Sequence, residues 1–348
     1  MEPQELYMRR CMELAERGAG YVAPNPMTGC VLVRDQMIIG EGFHRQFGGP
    51  HAEVNAIRGV ADTSLLKEAT LYVNLEPCSH HGKTPPCADL IIAMGIPKVV
   101  VGCMDENPVV HGKGIEKLLA HGVDVKTGVL EEECQHLNRR FFTYILKQRP
   151  YVILKWAQTA DGFIDHDRDV NDGLRAIVSS PEAHELAHRW RASEAAVLVG
   201  TNTVLSDDPQ LTVRLVEGPH PVRVTFDRRR RIPPKAKILD GTAPTIVFTE
   251  EMQAHSSRAE FIPIDFSTDP IHEAMLVLYE KKLLSVLVEG GAAILKRFLD
   301  NGIWDEARVF TSAKIFGSGV SAPAITMQAE KEELIGDDKL LTYFNKNS

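Results

Sequence analysis

His51-Ala52-Glu53, Pro77-Cys78 and Cys87 put one imidazole, one carboxylate and two thiols into the first third of the chain. An imidazole and two thiolates suit zinc. Three protein ligands leave the fourth tetrahedral position open, as a catalytic centre requires and a four-ligand structural centre does not. A zinc ion held in this way makes water a nucleophile near neutral pH, able to attack an amidine-like ring carbon. The water must lose a proton and the departing amine must gain one. A carboxylate two residues from the imidazole can carry that proton without binding metal, and this role falls to Glu53. The set predicts hydrolytic deamination of an amino-substituted heterocycle. A His-x-Glu triplet alone carries little information; the order of all the elements and their place at helix starts carry it. His80 and His81 are competing ligand candidates.

These residues need elements to hold them. Residues 4–17 read as an amphipathic helix and 29–34 and 37–42 as a hairpin across Asp35-Gln36. Residues 51–59 read as a helix, 71–75 as a strand, 87–94 as a helix, 98–102 as a strand, 114–121 as a helix and 123–127 as a short strand. Strands alternating with helices imply an α/β layered domain whose later strands run parallel. The pattern predicts one long helix over about 131–146, stopped at Arg149-Pro150, where the domain boundary is placed. Beyond it, strands are expected at 151–156, 196–199, 222–226, 245–249 and 284–288. A helix over 181–192 opens on Pro181 as a first-turn proline should. The charged run Glu330–Glu333 reads as a solvated helix end.

A chain of 348 residues suits two domains. The formal net charge of −8 supplies no positive field to gather nucleic acid. The longest apolar runs, such as 283–288, fall far short of the roughly 20 residues a bilayer span needs, so no membrane role is expected. The six cysteines, without an export signal, read as reduced thiols, and the expectation is a cytoplasmic enzyme.

No Gly-x-Gly-x-x-Gly follows a strand, so a Rossmann dinucleotide site is unsupported. Instead, strand 284–288 runs through Glu289-Gly290-Gly291 into a helix over 292–299. Two glycines permit close backbone approach and the amides of a helix start favour an anion such as a pyrophosphate.

His-x-Glu followed by Pro-Cys and a second cysteine resembles the zinc nucleobase deaminase signature. Its usual Cys-x-x-Cys spacing is replaced by eight residues, Ser79 to Pro86, polar and basic enough for Lys83 to meet a phosphorylated substrate. Pro24-Asn25-Pro26, Gly40-Glu41-Gly42-Phe43-His44, Gly49-Pro50-His51-Ala52-Glu53-Val54, the whole stretch Pro77–Cys87 and Asp105-Glu106-Asn107-Pro108 resemble the bifunctional riboflavin-biosynthesis family, a pyrimidine deaminase fused to a pyrimidine reductase, in which the long cysteine spacing is characteristic. In the second half, the resemblance rests on Lys155–Gly162, Trp190-Arg191-Ala192, Val199–Pro209, Leu211-Thr212-Val213-Arg214 and Val288–Gly291. It spans residues 5 to about 325.

The resemblance implies a cytidine-deaminase-like three-layer α/β/α domain with a mixed sheet over 1–147, then a dihydrofolate-reductase-like α/β domain over 148–348. It implies one zinc ion in the first and NADPH in the second. Asn25, His44, Lys83, Asp105 and Asn107 would line the pyrimidine pocket. Ala157, Thr203, Asp207 and the segment Gly291, Ala292, Ala293, Ile294, Leu295, Lys296 and Arg297 would contact the cofactor. Arg191, Leu211, Arg214 and Glu289 would contact the substrate of reduction, the two arginines suiting its ribose phosphate. Two places depart from the pattern. Arg175-Ala176-Ile177 stands where Ser-x-Trp is expected, so Arg175 takes a substrate position. Arg228 stands where a serine is expected; it, or a neighbour up to Arg231, is a candidate for the 2′-phosphate of NADPH.

The expected substrate is a small pyrimidine ribosyl phosphate, and the expected assembly a homo-oligomer, dimer or tetramer. The competing readings are a nucleoside or tRNA deaminase fused to a non-catalytic dimerisation domain, and a zinc-stabilised binding module with vestigial catalytic residues. The acidic charge balance and the lysine-bearing insert argue against the first, and the complete His51, Glu53, Cys78, Cys87 set against the second.

Overall fold

The computed structural model describes residues 2–79, 85–108, 110–167, 176–251 and 258–346. The chain divides into two compact units, Met1–Gln148 and Arg149–Ser348. Among the described residues no helix is long and apolar enough to cross a membrane.

The first unit runs α1 (Pro3–Glu16), β1 (Gly29–Arg34), β2 (Met37–Phe43), α2 (Ala52–Arg58), β3 (Thr70–Leu75), α3 (Cys87–Ala93), β4 (Lys98–Cys103), α4 (Lys113–Ala120), β5 (Asp124–Lys126), α5 (Glu131–Leu137) and α6 (Arg139–Lys147). Its five-stranded sheet has the order β2-β1-β3-β4-β5. β1 is antiparallel to both neighbours, while β3, β4 and β5 run parallel. The mixed sheet with helices is the α/β architecture expected. β3 and β4 are buried almost throughout, as parallel strands covered on both faces must be. α1 turns Tyr7, Met8, Cys11, Leu14 and Ala15 inward at helical spacing. Gly42 allows α2 to lie close on β2: a Cβ there would fall 2.5 Å from the carbonyl of Ala52, between His51 and Glu53.

One expectation fails here. Instead of a single helix over 131–146, α5 and α6 are separated at Asn138 (φ −97, ψ 16). The buried Asn138 side chain leaves the helical path to bond Met27, accepting from its N–H at 2.8 Å and donating to its carbonyl at 2.9 Å. A tertiary bond replaces helix continuity, which periodicity does not reveal.

The second unit runs β6 (Tyr151–Gln158), β7 (Phe163–Asp165), α7 (Pro181–Ser193), β8 (Ala196–Val199), α8 (Thr201–Asp207), β9 (Val222–Phe226), β10 (Thr245–Thr249), β11 (Glu260–Pro263), α9 (Pro270–Glu280), β12 (Ser285–Val288), α10 (Ala292–Asp300), β13 (Glu306–Thr311), β14 (Val320–Ser321), β15 (Lys331–Ile335) and β16 (Asp338–Phe344). A nine-stranded sheet has the order β11-β10-β9-β8-β12-β6-β13-β16-β15, and β14 pairs β7 separately. From β11 to β13 every pairing is parallel; β16 is antiparallel to both β13 and β15. β8 and β12 are buried along their length and pack with α9 and α10 in the main core.

The reading of Glu330–Glu333 as a helix end is overturned by β15. In β16, Asp338, Leu340 and Thr342 are buried in alternation, and β15 pairs alongside as an exposed edge. Charges on β15 mark a guarded sheet edge, where a helix end would carry them equally well.

Candidate metal centre and reductase cleft

The first site forms where α2 and α3 begin. His51 is the N-cap position of α2, with Glu53 in its first turn; Cys87 is the first residue of α3, and Cys78 lies in the turn leaving β3. The ligand atoms of His51, Cys78 and Cys87 all lie within 4.8 Å of one another. His51 Nδ1 stands 3.5 Å from Cys78 Sγ and 3.3 Å from Cys87 Sγ. Ligands about 2.0 and 2.3 Å from a zinc ion, at tetrahedral angles, lie about 3.5 Å apart, so the triad has the size zinc requires. The Cys78 sulfur also accepts the backbone N–H of Cys87 at 3.3 Å. Hydrogen bonding from Cys87, then from His51, lowers the pKa of the Cys78 thiol, which favours the thiolate a metal needs.

Glu53 is 3% exposed, and its Oε2 has no hydrogen-bond partner among the described residues. Burial, with Cys78 nearby, pushes its carboxyl above the usual range. A buried oxygen without a partner costs stability, and such a group is where a proton carrier is expected. It lines a cavity of about 260 Å³ with Asn25, His44, His51, Asp105 and Asn107. His44 Nδ1–H donates to the Pro50 carbonyl at 3.0 Å, so Nε2 accepts from Asn25 Nδ2 at 3.0 Å; burial keeps the ring neutral. Asp105 is buried; its Oδ1 accepts the Asn107 N–H at 2.8 Å. Burial, reinforced by Glu76 and Glu106, pushes its carboxyl up to about 6.

Lys83, Arg175, His80 and His81 lie outside the described residues. Residues missed in the sequence also belong here. Phe141, far downstream on α6, lines the cavity. Asn74 and Asn138 both bond the backbone of Met27, which fixes the loop carrying Asn25. Nothing local in sequence links these positions.

The second site is a cleft of about 630 Å³ lined by Lys155, Ala157, Thr203, Asp207, Glu289 and Gly291, with Ala292, Ala293 and Leu295 continuing it into α10. Gly291 (φ 77) is the N-cap position of α10, with no side-chain cap; a Cβ there would fall 2.9 Å from Thr203 Oγ1. Gly290 (φ 136) faces open space. Bare helix-start amides beside glycines fit the phosphates of a dinucleotide. The rest of the expected segment turns away: Ile294 packs toward the core, Lys296 pairs with Asp300 and Arg297 is exposed.

Glu289 is held by Arg191 through two bonds, Nη2 to Oε2 at 2.8 Å and a shorter one from Nε, with Lys155 Nζ at 3.7 Å. Burial pushes its carboxyl up, but Arg191 and Lys155 outweigh burial and hold it at about 2. His188, which the sequence did not single out, accepts the Arg214 N–H on Nδ1 at 3.0 Å, and burial with the two arginines pushes it down to about 4. The Arg214 side chain is exposed and bonds Thr212 Oγ1 at 2.9 Å. Leu211 (φ 56) is buried in a core cluster with Val199 and Val204. Arg228 is engaged elsewhere: Glu250 takes Nε and Nη2, each at 2.9 Å. Arg231 reaches Asn202 Oδ1 at 3.0 Å, and Asn202 lines the cleft.

Residues 1–103 match the cytidine and deoxycytidylate deaminase zinc-binding region, and residues 150–340 match the RibD C-terminal domain. The riboflavin biosynthesis protein RibD of Aquifex aeolicus is 40% identical over 354 residues, covering 98% of each chain. The chain belongs to the RibD family. RibD of Escherichia coli is 36% identical over 331 residues, covering 90% of this chain and 89% of its own. A diaminohydroxyphosphoribosylaminopyrimidine deaminase/5-amino-6-(5-phosphoribosylamino)uracil reductase from Thermotoga maritima superposes with a TM-score of 0.90 at 42% identity over 99% of both chains. Acinetobacter baumannii RibD gives 0.87 at 32% identity, again over 99% of both. As a RibD-family member, the chain is a bifunctional enzyme of riboflavin biosynthesis, a deaminase joined to a reductase.

Proposed function

We propose that residues 1–147 hydrolytically deaminate 2,5-diamino-6-ribosylamino-pyrimidin-4-one 5′-phosphate. Residues 148–348 then reduce the ribosyl chain of the product with NADPH, giving 5-amino-6-ribitylamino-uracil 5′-phosphate. One zinc ion per chain is held by His51, Cys78 and Cys87. The observation that carries the reading is the Oε2 of buried Glu53, unpartnered among the described residues, beside that triad in a pocket edged by amide and carboxylate groups.

Zinc, when bound, supplies the Lewis acidity that makes water a nucleophile. Glu53 Oε2 takes the proton that water loses and delivers it to the departing amine, so ammonia leaves neutral. Asn25, His44, Asp105 and Asn107 orient the pyrimidine, and Lys83 takes its phosphate. In the second unit, NADPH supplies the hydride. Ala157, Thr203, Asp207 and Gly291–Ala293 hold the cofactor; Arg191, Arg214 and Glu289 contact the substrate, with Glu289 as a fixed negative charge and Arg175 as a further contact, whereas Leu211, buried in the core, serves packing and not the substrate. In the arginine run, Arg231 is better placed than Arg228 for the 2′-phosphate, since a bidentate carboxylate already occupies Arg228. The enzyme works in the cytoplasm as a homo-oligomer, a dimer or tetramer.

The test follows products by mass, using purified protein with the diaminopyrimidine substrate, with and without NADPH. Deaminated intermediate accumulates without NADPH and is reduced when it is added. Stripping metal with a chelator stops ammonia release and leaves reduction of pre-deaminated substrate intact. Ammonia release undiminished in metal-free protein refutes the proposal.

A further inference from the structure

The turn carrying Cys78 and the loop carrying Asp105 and Asn107 leave neighbouring strands β3 and β4, and one buried side chain spans them. Glu76, 4% exposed, directs both carboxylate oxygens at backbone N–H groups across the gap. Its Oε2 accepts from Gly112 at 2.9 Å and Asp105 at 3.3 Å; its Oε1 accepts from Gly114 at 2.9 Å and Ile115 at 3.3 Å. A carboxylate is an acceptor on both oxygens, so all four donors are satisfied at once, and the start of α4 adds its positive end. The same joint is closed by packing: a Cβ on Gly114 would fall 1.9 Å from the carbonyl oxygen of Pro77, the residue before Cys78. His111 Nδ1–H donates to the Asp105 carbonyl at 2.9 Å, a second tie on the loop.

We propose that Glu76 is a positioning residue for deamination, holding the Asp105–Asn107 edge in register with the metal triad. The inference rests on the reading of that edge as a pyrimidine contact. Glutamine cannot replace glutamate, because its amide N–H2 would face two of the four donors.

The test is steady-state deamination by the full-length protein, with zinc content and NADPH-dependent reduction measured on the same preparations. Glu76→Gln raises KM about tenfold, the effect of one charge-assisted hydrogen bond, and changes kcat less than about threefold. Its bound zinc and its reductase kinetics stay at wild-type values. Asn107→Ala also raises KM, and the double variant falls short of the product of the two single effects, because Glu76 acts partly through Asn107. A wild-type KM in Glu76→Gln, or effects that multiply in the double variant, overturns the proposal. A wild-type KM in Asn107→Ala instead overturns the substrate reading beneath it. If Glu76→Gln does not accumulate, His111→Ala decides: a smaller KM rise with zinc retained supports the proposal, and an unchanged KM sinks it.

Discussion

Glu53 and Glu289 are both buried carboxylates in candidate active sites, yet their surroundings treat them in opposite ways. Among the described residues, Glu53 keeps one oxygen without a partner, and burial pushes its carboxyl up. Glu289 is clasped by Arg191, with Lys155 close by, and is held at about 2. A carboxyl raised toward neutrality can take up and release a proton during turnover; one locked into an ion pair serves as a permanent charge. Under the proposed function, the two units use their buried acids differently, one for moving protons and one for fixing geometry.

Four experiments test that contrast. Glu53→Gln lowers kcat for ammonia release by about a thousandfold, within the range of a lost general acid–base, while zinc content and the reductase rate hold. Glu289→Gln leaves Arg191 buried without its counter-charge, and costs the second unit about 3–5 kcal/mol in denaturant unfolding, with the first unit's transition unmoved. For the wild type, the linkage sign follows from a depressed pKa: stability from Glu289 is complete above about 4.5 and drains away as pH falls toward about 2.

Asp105 has the opposite sign. Its raised pKa means that the ionised form is disfavoured by folding, and that it becomes an acceptor for pyrimidine donors only as pH rises through about 6. KM for deamination therefore climbs up to about tenfold per pH unit below that point, and Asp105→Asn abolishes the dependence. The smallest effect is at Arg228: because Glu250 occupies its fork, Arg228→Ala changes the NADPH/NADH preference less than about threefold, whereas Arg231→Ala lowers it more. Isothermal titration with NADP+ and NAD+ separates the two.

The sequence disclosed the first site more fully than the second, and density is the reason. His51, Glu53, Cys78 and Cys87 are crowded into one short run, and their side chains have little ordinary use in that order. What escaped were groups joined only by folding. Asn138 sits inside a helical pattern, and nothing nearby shows that Met27 will claim its side chain. Glu76 reads as an ordinary charged residue ahead of Pro77 until β4 brings Asp105 beside it. In the second unit, Lys155, Thr203 and Glu289 meet in one cleft from three distant stretches, and without the family resemblance only the Gly290-Gly291 turn hinted at it. Strand limits were legible where apolar residues ran unbroken, as in β8 and the centre of β10, or alternated with polar ones, as in β9. They were lost at β15, where edge charges imitate a helix end.

The placement of β6 sets how the enzyme must be built. It is the first strand of its sheet in the chain, yet it lies between β12 and β13, whose residues follow more than a hundred positions later. On the ribosome, the deaminase unit can close as soon as its own residues emerge, since its strands find partners nearby. The reductase sheet must hold its opening strand unpaired until nearly all of its sequence has been delivered, which makes that half the slow folder and the one most in need of protection during synthesis.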